Sequence, residues 1–295
     1  MSCRFRRIAI LPGARLSPSA LAQISLMSRG EIVIYSSWPQ SDHVGTIDVD
    51  AIVCGWEDRL PVSCLQLFPA LRYIGVRGTS TDRIDIDYAM ENNITVCPIY
   101  NYAVPGTVEF VMEQMLKDAR QRRRDRGQAA IELHGRQLGL LGYGNVGSRV
   151  GKAAAALGMR VLYYTPTVRS MTAGEDNPAW ASLDDVLLAA DVLSIHTPAY
   201  RQVVSSGDLH RVHDDVLVVI TTLGLPFNSD NLVGWQWNRT GRVVLDQCAA
   251  QGVPMSVLET PGVEVVDYFA ARTEQSMQRA ERSLLDNLRR FSHDG

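Results

Sequence analysis

Cysteine is scarce and scattered in this chain of 295 residues: Cys3, Cys54, Cys64, Cys97 and Cys248 are the only five, and no two form a CxxC pair. An odd, dispersed set argues against a disulfide framework and against zinc-ligand spacing, and reads as reduced thiols. A surplus of positive charge is also missing. Lys+Arg number 29 against 32 for Asp+Glu, a formal charge of -3, without the basic excess of a protein that wraps nucleic acid. Small molecules or other proteins are the expected partners. No apolar run approaches the roughly 20 residues of a bilayer span, and the opening MSCRFRRIAILPGARL lacks a signal-peptide apolar region. The expectation is a cytoplasmic protein with no membrane partner. Repeats, low-complexity tracts and Gly/Ser linkers are lacking too, so any domains should be tightly joined.

What the chain does have is 46% hydrophobic residues, enough for two cores of ordinary size. Short β-branched runs alternate with helical patterns, the signature of parallel sheets covered by helices. Strands are expected over 7–11, 31–35, 51–54, 71–76 and 94–96, and in a second series over 138–141, 160–164, 191–196, 216–221 and 242–245. A connecting helix with Pro at its start is expected over 105–126, its basic end being a solvated helix terminus. A last helix is expected over 264–291, with Phe269, Met277, Ala280, Leu284, Leu288 and Phe291 on one stripe.

The most informative segment begins at Leu138: an apolar strand, then Gly142-Tyr143-Gly144-Asn145-Val146-Gly147, an amphipathic helix, and a second strand ending at Tyr164. A GxGxxG between strand and helix within about 30 residues points to a dinucleotide. Gly142 allows the tight turn, Gly144 lets backbone approach a pyrophosphate, Gly147 permits close helix packing, and the N–H groups of the helix start attract phosphate. A carboxylate expected some 20 residues on would hold the ribose 2'-hydroxyl. That place is Thr165. Nothing there repels a 2'-phosphate, and Thr167 and Arg169 could donate to one, so NADP is at least as well suited as NAD.

With these residues in view the chain resembles the D-2-hydroxyacid dehydrogenase family of NAD(P)-dependent enzymes. The likeness runs through LFPALRYIGVRGTSTDRIDIDYAMENNITVCPIYNYAVPGTVEF from Leu67, the glycine segment from Leu133, and LDDVLLAADVLSIHTP ending at Pro198. It implies two Rossmann-like α/β domains, doubly wound parallel sheets with a ligand cleft between them. Residues 1–101 plus 266–295 would form the substrate domain and 102–265 the dinucleotide domain, with a homodimer formed through the latter. The resemblance further implies that Arg77, Gly78, Thr79, Ser80 and Tyr102 face the carboxylate or similar anion of a small substrate. His196, Pro198 and Thr222 would lie beside the cofactor and Asp246 would contact the nicotinamide carboxamide.

The family's reaction uses an arginine, a histidine acid/base and a supporting glutamate. Here TTLGLPFN places Leu223 at the arginine, ETPGVE places Gly262 at the histidine, and counting on from Asp246 reaches Gln251 for the glutamate. Leucine does not polarise a carbonyl and glycine has no proton to give. Three functions stay open at this point: an oxidoreductase with a rebuilt site and a non-standard substrate, a catalytically silent dinucleotide-binding sensor or scaffold, and a non-redox enzyme reusing the cleft. His134, His210, His213, Glu259, Glu264, Tyr100 and Arg83 are further polar groups from stretches that could matter, and none is assigned a role.

Overall fold

The structure, a computed structural model, describes residues 5–37, 47–125, 127–166, 178–229 and 240–294. The chain divides into two compact units, 1–102 with 274–295 and 103–273. Among the described residues both are α/β units built on wholly parallel sheets, of five and seven strands.

In the first unit the chain runs β1 (Ile8–Ile10), α1 (Pro18–Ser25), β2 (Val33–Ile34), β3 (Ala51–Gly55), α2 (Val62–Leu65), β4 (Tyr73–Arg77), α3 (Ile86–Glu91) and β5 (Thr95–Pro98). Every residue of β3 is buried, as expected of a parallel strand covered on both faces. The order β2-β1-β3-β4-β5 reverses between β1 and β3. Ser17 caps α1 by accepting from the Ala20 N–H, and Asp85 caps α3 by accepting from the Tyr88 N–H at 2.9 Å. The C-terminal helix, Glu274–Asp294, lays Ala280, Leu284, Leu285 and Leu288 on this unit's core beside Phe5, Ile8 and Tyr73.

The second unit opens with α4 (Val104–Lys117), a π-turn over Asp118–Arg122 and α5 (Arg123–Asp125). There follow β6 (Gln137–Leu141), α6 (Gly147–Ala156), β7 (Arg160–Tyr164), β8 (Ala179–Trp180), α7 (Leu183–Ala189), β9 (Val192–Ile195), α8 (Ser206–Leu209), β10 (Leu217–Ile220), β11 (Arg242–Leu245) and β12 (Val263–Val265). The order is β12-β11-β10-β9-β6-β7-β8. Strands added after β6 go first to one side and then, from β9, to the other, so the switch point lies between β6 and β9. In such sheets ligands bind outside the carboxyl ends of the strands at that point.

One expectation needs correcting. The helix expected over 264–291 begins at Glu274, and β12 stands where its first turn was placed. The reason is pairing: Val263, Glu264 and Val265 register with Val243, Val244 and Leu245 of β11. Val266 and Ala270 then pack into the second unit's core, so the compact division falls at 273/274, beyond the boundary at 265/266 drawn from the sequence. Among the described residues no helix is long and apolar enough to cross a membrane.

Candidate functional site

The glycine turn leaves the carboxyl end of β6 at the switch point. Gly142 has φ +94°, the left-handed region, and a Cβ there would collide with the His196 carbonyl. A Cβ on Gly147 would run into the Gly142 carbonyl oxygen. Both glycines are thus demanded by the fold itself. Gly144 is different, because a Cβ there would meet no atom within 4 Å and its φ is unexceptional. The chain has no internal reason for glycine at 144, and close approach of an outside group supplies one. Asn145 is exposed, Val146 half-buried, and α6 begins with no side chain capping it at Val146. Its neighbour α7, by contrast, is capped by Ser182.

The rim around this turn is built from strand ends. The Gly142 N–H donates to the Tyr164 carbonyl at 2.9 Å, which sets half-buried Thr165 beside the turn as the first residue past β7. Thr167 and Arg169 lie outside the described residues. On the other side the His196 N–H donates to Leu141 at 2.7 Å, and its Nε2 is 2.9 Å from the Ser194 hydroxyl. Burial of the imidazole lowers its pKa to about 4, so it is neutral near pH 7 and carries no proton of acid strength. Thr197 follows with its Oγ1 buried and without a hydrogen-bond partner among the described residues, and Pro198 is exposed. An open glycine, an uncapped helix start and an unsatisfied hydroxyl at one switch point fit the phosphates and ribose of a dinucleotide.

Thr222 and Leu223 follow β10, both half-buried, at the same edge of the sheet. The Leu223 carbonyl accepts from the Tyr200 N–H at 2.8 Å, and the Thr222 hydroxyl turns toward the Gly224 carbonyl at 3.4 Å. An apolar side chain therefore occupies the carboxyl edge of β10. Asp246, next along, is only 1% exposed. Its two oxygens accept from the Ala249 N–H at 2.8 Å and the Ala270 N–H at 2.9 Å, and burial nonetheless pushes its pKa up. Its carboxylate thus ties the turn after β11 to the segment after β12.

Gln251 is exposed in that turn. Gly262 is the residue that the sequence sets in the histidine's place. It precedes β12, with φ +87° and its carbonyl accepting from Val243 at the start of β11. That is the amino edge of the sheet, opposite the glycine turn. His134, His213 and Glu259 precede β6, β10 and β12, and so share this far edge, while His210 closes α8 in the connection leading there. Glu264, inside β12, is bound by Arg122 at 2.7 and 2.8 Å and is held below the usual carboxylate range: burial raises its pKa, and the arginine with Lys117 overrides that.

Sequence reasoning missed the residue that does stand past the carboxyl end of β12. Tyr268 is 43% exposed, and its hydroxyl donates to Glu113 Oε2 of α4 at 2.7 Å. Its ring meets Phe110 edge-on at 5.7 Å between centroids. The available signal was the alternating V-E-V that ends three residues earlier, hidden by the helical stripe extended through it.

In the first unit, residues 77–80 leave the carboxyl end of β4. A Cβ on Gly78 would sit 2.6 Å from Trp56 Cβ, and the Gly78 carbonyl accepts from Ile99 at 3.0 Å. Thr79 donates to the Ile99 carbonyl at 3.1 Å and Ser80 to Asp82 at 2.6 Å, so both hydroxyls serve the loop. Arg77 reaches the Met277 sulfur at 3.2 Å, and the Tyr102 carbonyl accepts from Arg279 at 2.8 Å. These four loop residues and Tyr102 are brought to one edge of one unit.

Residues 108–263 match the model of the D-isomer specific 2-hydroxyacid dehydrogenase NAD binding domain. A hydroxypyruvate reductase of Blautia hydrogenotrophica is 25% identical over 242 residues, 74% of each chain. Among solved structures, a D-lactate dehydrogenase from Aquifex aeolicus complexed with NAD and lactic acid superposes with a TM-score of 0.79 at 21% identity, over 96% of this chain and 95% of that one. An NADPH-dependent glyoxylate/hydroxypyruvate reductase from Sinorhizobium meliloti does so with a TM-score of 0.80 at 22% identity, over 96% and 94%. With its glycine turn at the β6/β9 switch point and a family match over more than half its length, the chain belongs to the D-isomer specific 2-hydroxyacid dehydrogenase family.

Proposed function

We propose that this protein is an NAD(P)-dependent oxidoreductase with a rebuilt reactive site, acting on a small anionic carbonyl or alcohol substrate other than the simple 2-hydroxy acids. The observation that carries the reading is Gly144, a glycine with open space at its missing Cβ in the turn that faces the switch point. The unit from Ala103 to Thr273 is the cofactor domain and the other the substrate domain. Gly142, Gly144, Asn145, Val146 and Gly147 receive the pyrophosphate, Thr165 the adenosine ribose, and His196, Thr197, Pro198 and Thr222 flank the remainder. The bound cofactor supplies hydride transfer. The backbone of residues 78–80, with Arg77 and Tyr102, supports binding of the substrate anion.

Leu223 is the reason for a non-standard substrate. It puts a neutral branched side chain at the edge of β10, where the resemblance expects an arginine, and a leucine gives neither charge nor hydrogen bonds to a developing alkoxide. The same observation favours a second reading, a silent dinucleotide-binding homologue acting as sensor or scaffold. Titration with NADP and NAD, followed by reduced-cofactor absorbance with a panel of carbonyl compounds, separates the two. Binding with turnover supports the first, binding without turnover the second, and no binding of either cofactor contradicts both. The resemblance also supports a homodimer, which sedimentation of the purified protein reads directly.

A further inference from the structure

The rebuilt site still needs a proton donor, and the sheet itself narrows the choice. With Thr165 marking the adenosine side on β7, the other half of a dinucleotide crosses toward β9, β10 and beyond, so the donor must come from the carboxyl ends of those strands. Among the described residues of this edge, His196 is a neutral imidazole bonded to Ser194, Asp246 is buried with both oxygens on backbone N–H groups, and Leu223 has nothing to give. Thr197 and Thr222 offer only alcohols, far weaker acids than a phenol, so two phenols remain, Tyr200 after β9 and Tyr268 after β12. Tyr268 alone carries a carboxylate at 2.7 Å.

Resting on the function proposed above, we infer that Tyr268 is the acid/base residue of this site and that Glu113 is its positioning partner. In carbonyl reduction the carbon receives a hydride, with its electron pair, from the reduced nicotinamide, while the carbonyl oxygen takes the Tyr268 proton. The phenolate then recovers a proton from solvent, to which 43% of the residue is open; oxidation runs the same transfers backwards. The groups facing the phenol are Glu113 and Gln114 on α4, the Phe110 ring, and Asp267 in its own segment. Burial first, then the hydrogen bond and negative charge of Glu113, push the phenol up to about 12, with Gln114 acting the other way. It is therefore protonated throughout the neutral range. Gln114 is in turn fixed by the Arg122 guanidinium at 2.8 Å, which also clasps Glu264 of β12. The strand that leads to Tyr268 and the helix that presents Glu113 are thus bolted together through Arg122.

Carbon-13 NMR of Cζ-labelled tyrosine, on the full chain between pH 7 and 11, tests the placement without relying on turnover. A cationic oxidised nicotinamide next to the phenol stabilises phenolate, so saturating oxidised cofactor should bring into this window one tyrosine titration that the free protein shows only above it, reduced cofactor should not, and Y268F should lack the effect. For any carbonyl compound the wild type reduces, Y268F should lower kcat by about a hundredfold with cofactor affinity within about threefold. Y268H should restore part of the rate with a new dependence near the histidine pKa of about 6.5. Cofactor binding with no tyrosine shift, or an unchanged kcat in Y268F, overturns the assignment and leaves the proposed function standing. Failure of the wild type to bind either cofactor removes the function itself.

Discussion

At the residue scale the site combines groups whose roles are set by burial rather than by type. His196 is placed beside the cofactor by the resemblance, and its burial depresses the imidazole pKa to about 4. Its effect on stability follows from that direction. The unfolded chain, with a histidine pKa of about 6.5, binds more protons than the fold between the two values, so stability rises with pH across that window and is lost as pH falls from about 6.5 toward 4. At most about 3 kcal/mol is at stake. Urea unfolding at pH 7 and at pH 5 should show the drop in wild type and a smaller one in His196→Gln; equal drops would assign the loss elsewhere. Thr165 acts by what it omits. Thr165→Asp restores a carboxylate beside the turn and should shift the NAD:NADP affinity ratio toward NAD by more than tenfold, about 1.4 kcal/mol, in calorimetric titrations. An unmoved ratio would mean that residue 165 does not face the ribose.

At the scale of elements, the first unit has a switch point too, between β1 and β3, and fills it itself. Asp58, 3% exposed, accepts from the Gly13 N–H at 3.0 Å and the Gly55 N–H at 2.7 Å. A Cβ on Gly13 would lie 2.6 Å from that carboxylate, and one on Gly55 would strike the Gly13 carbonyl. An internal anion thus holds the two strand ends where a nucleotide-binding unit would hold a phosphate. Asp58→Ala leaves one buried and one half-buried donor without that partner and should cost roughly 2–4 kcal/mol in denaturant unfolding, Asp58→Asn less. An unchanged midpoint for Asp58→Ala would refute this. None of it is legible in the sequence, because the partners are up to 45 residues apart. The ten strands that are legible are those with contiguous apolar runs, such as β3 and β9 to β11. The two that are not, β8 and β12, are short edge strands: β8 is an exposed Ala-Trp pair and β12 carries Glu264 in its middle. The helical stripe of Glu274–Asp294, read too far back, absorbed β12 and with it the position of Tyr268. The site was legible where glycines and strand ends carry it and illegible where a tertiary contact, Tyr268 to Glu113, does.

For the whole molecule, the family's fold and nucleotide turn are retained, while a leucine stands where the resemblance expects charge. Turnover of glyoxylate, pyruvate or hydroxypyruvate should accordingly stay below roughly 1 per second with either cofactor, the lower end of ordinary enzymes. A faster rate on any of them in steady-state assays would show that the site was not rebuilt. The central claim is narrower, that the turn from Gly142 to Gly147 holds a nicotinamide dinucleotide and that Gly144 is glycine for the ligand's sake. Its most direct test is calorimetric titration of NADP and NAD into wild type and Gly144→Val, with thermal unfolding of both proteins recorded alongside. The account predicts that wild type binds NADP within about tenfold of NAD or more tightly, and that the variant unfolds at the wild-type temperature yet loses about a hundredfold or more in affinity, close to 3 kcal/mol. Equal affinity in a folded Gly144→Val variant would contradict it.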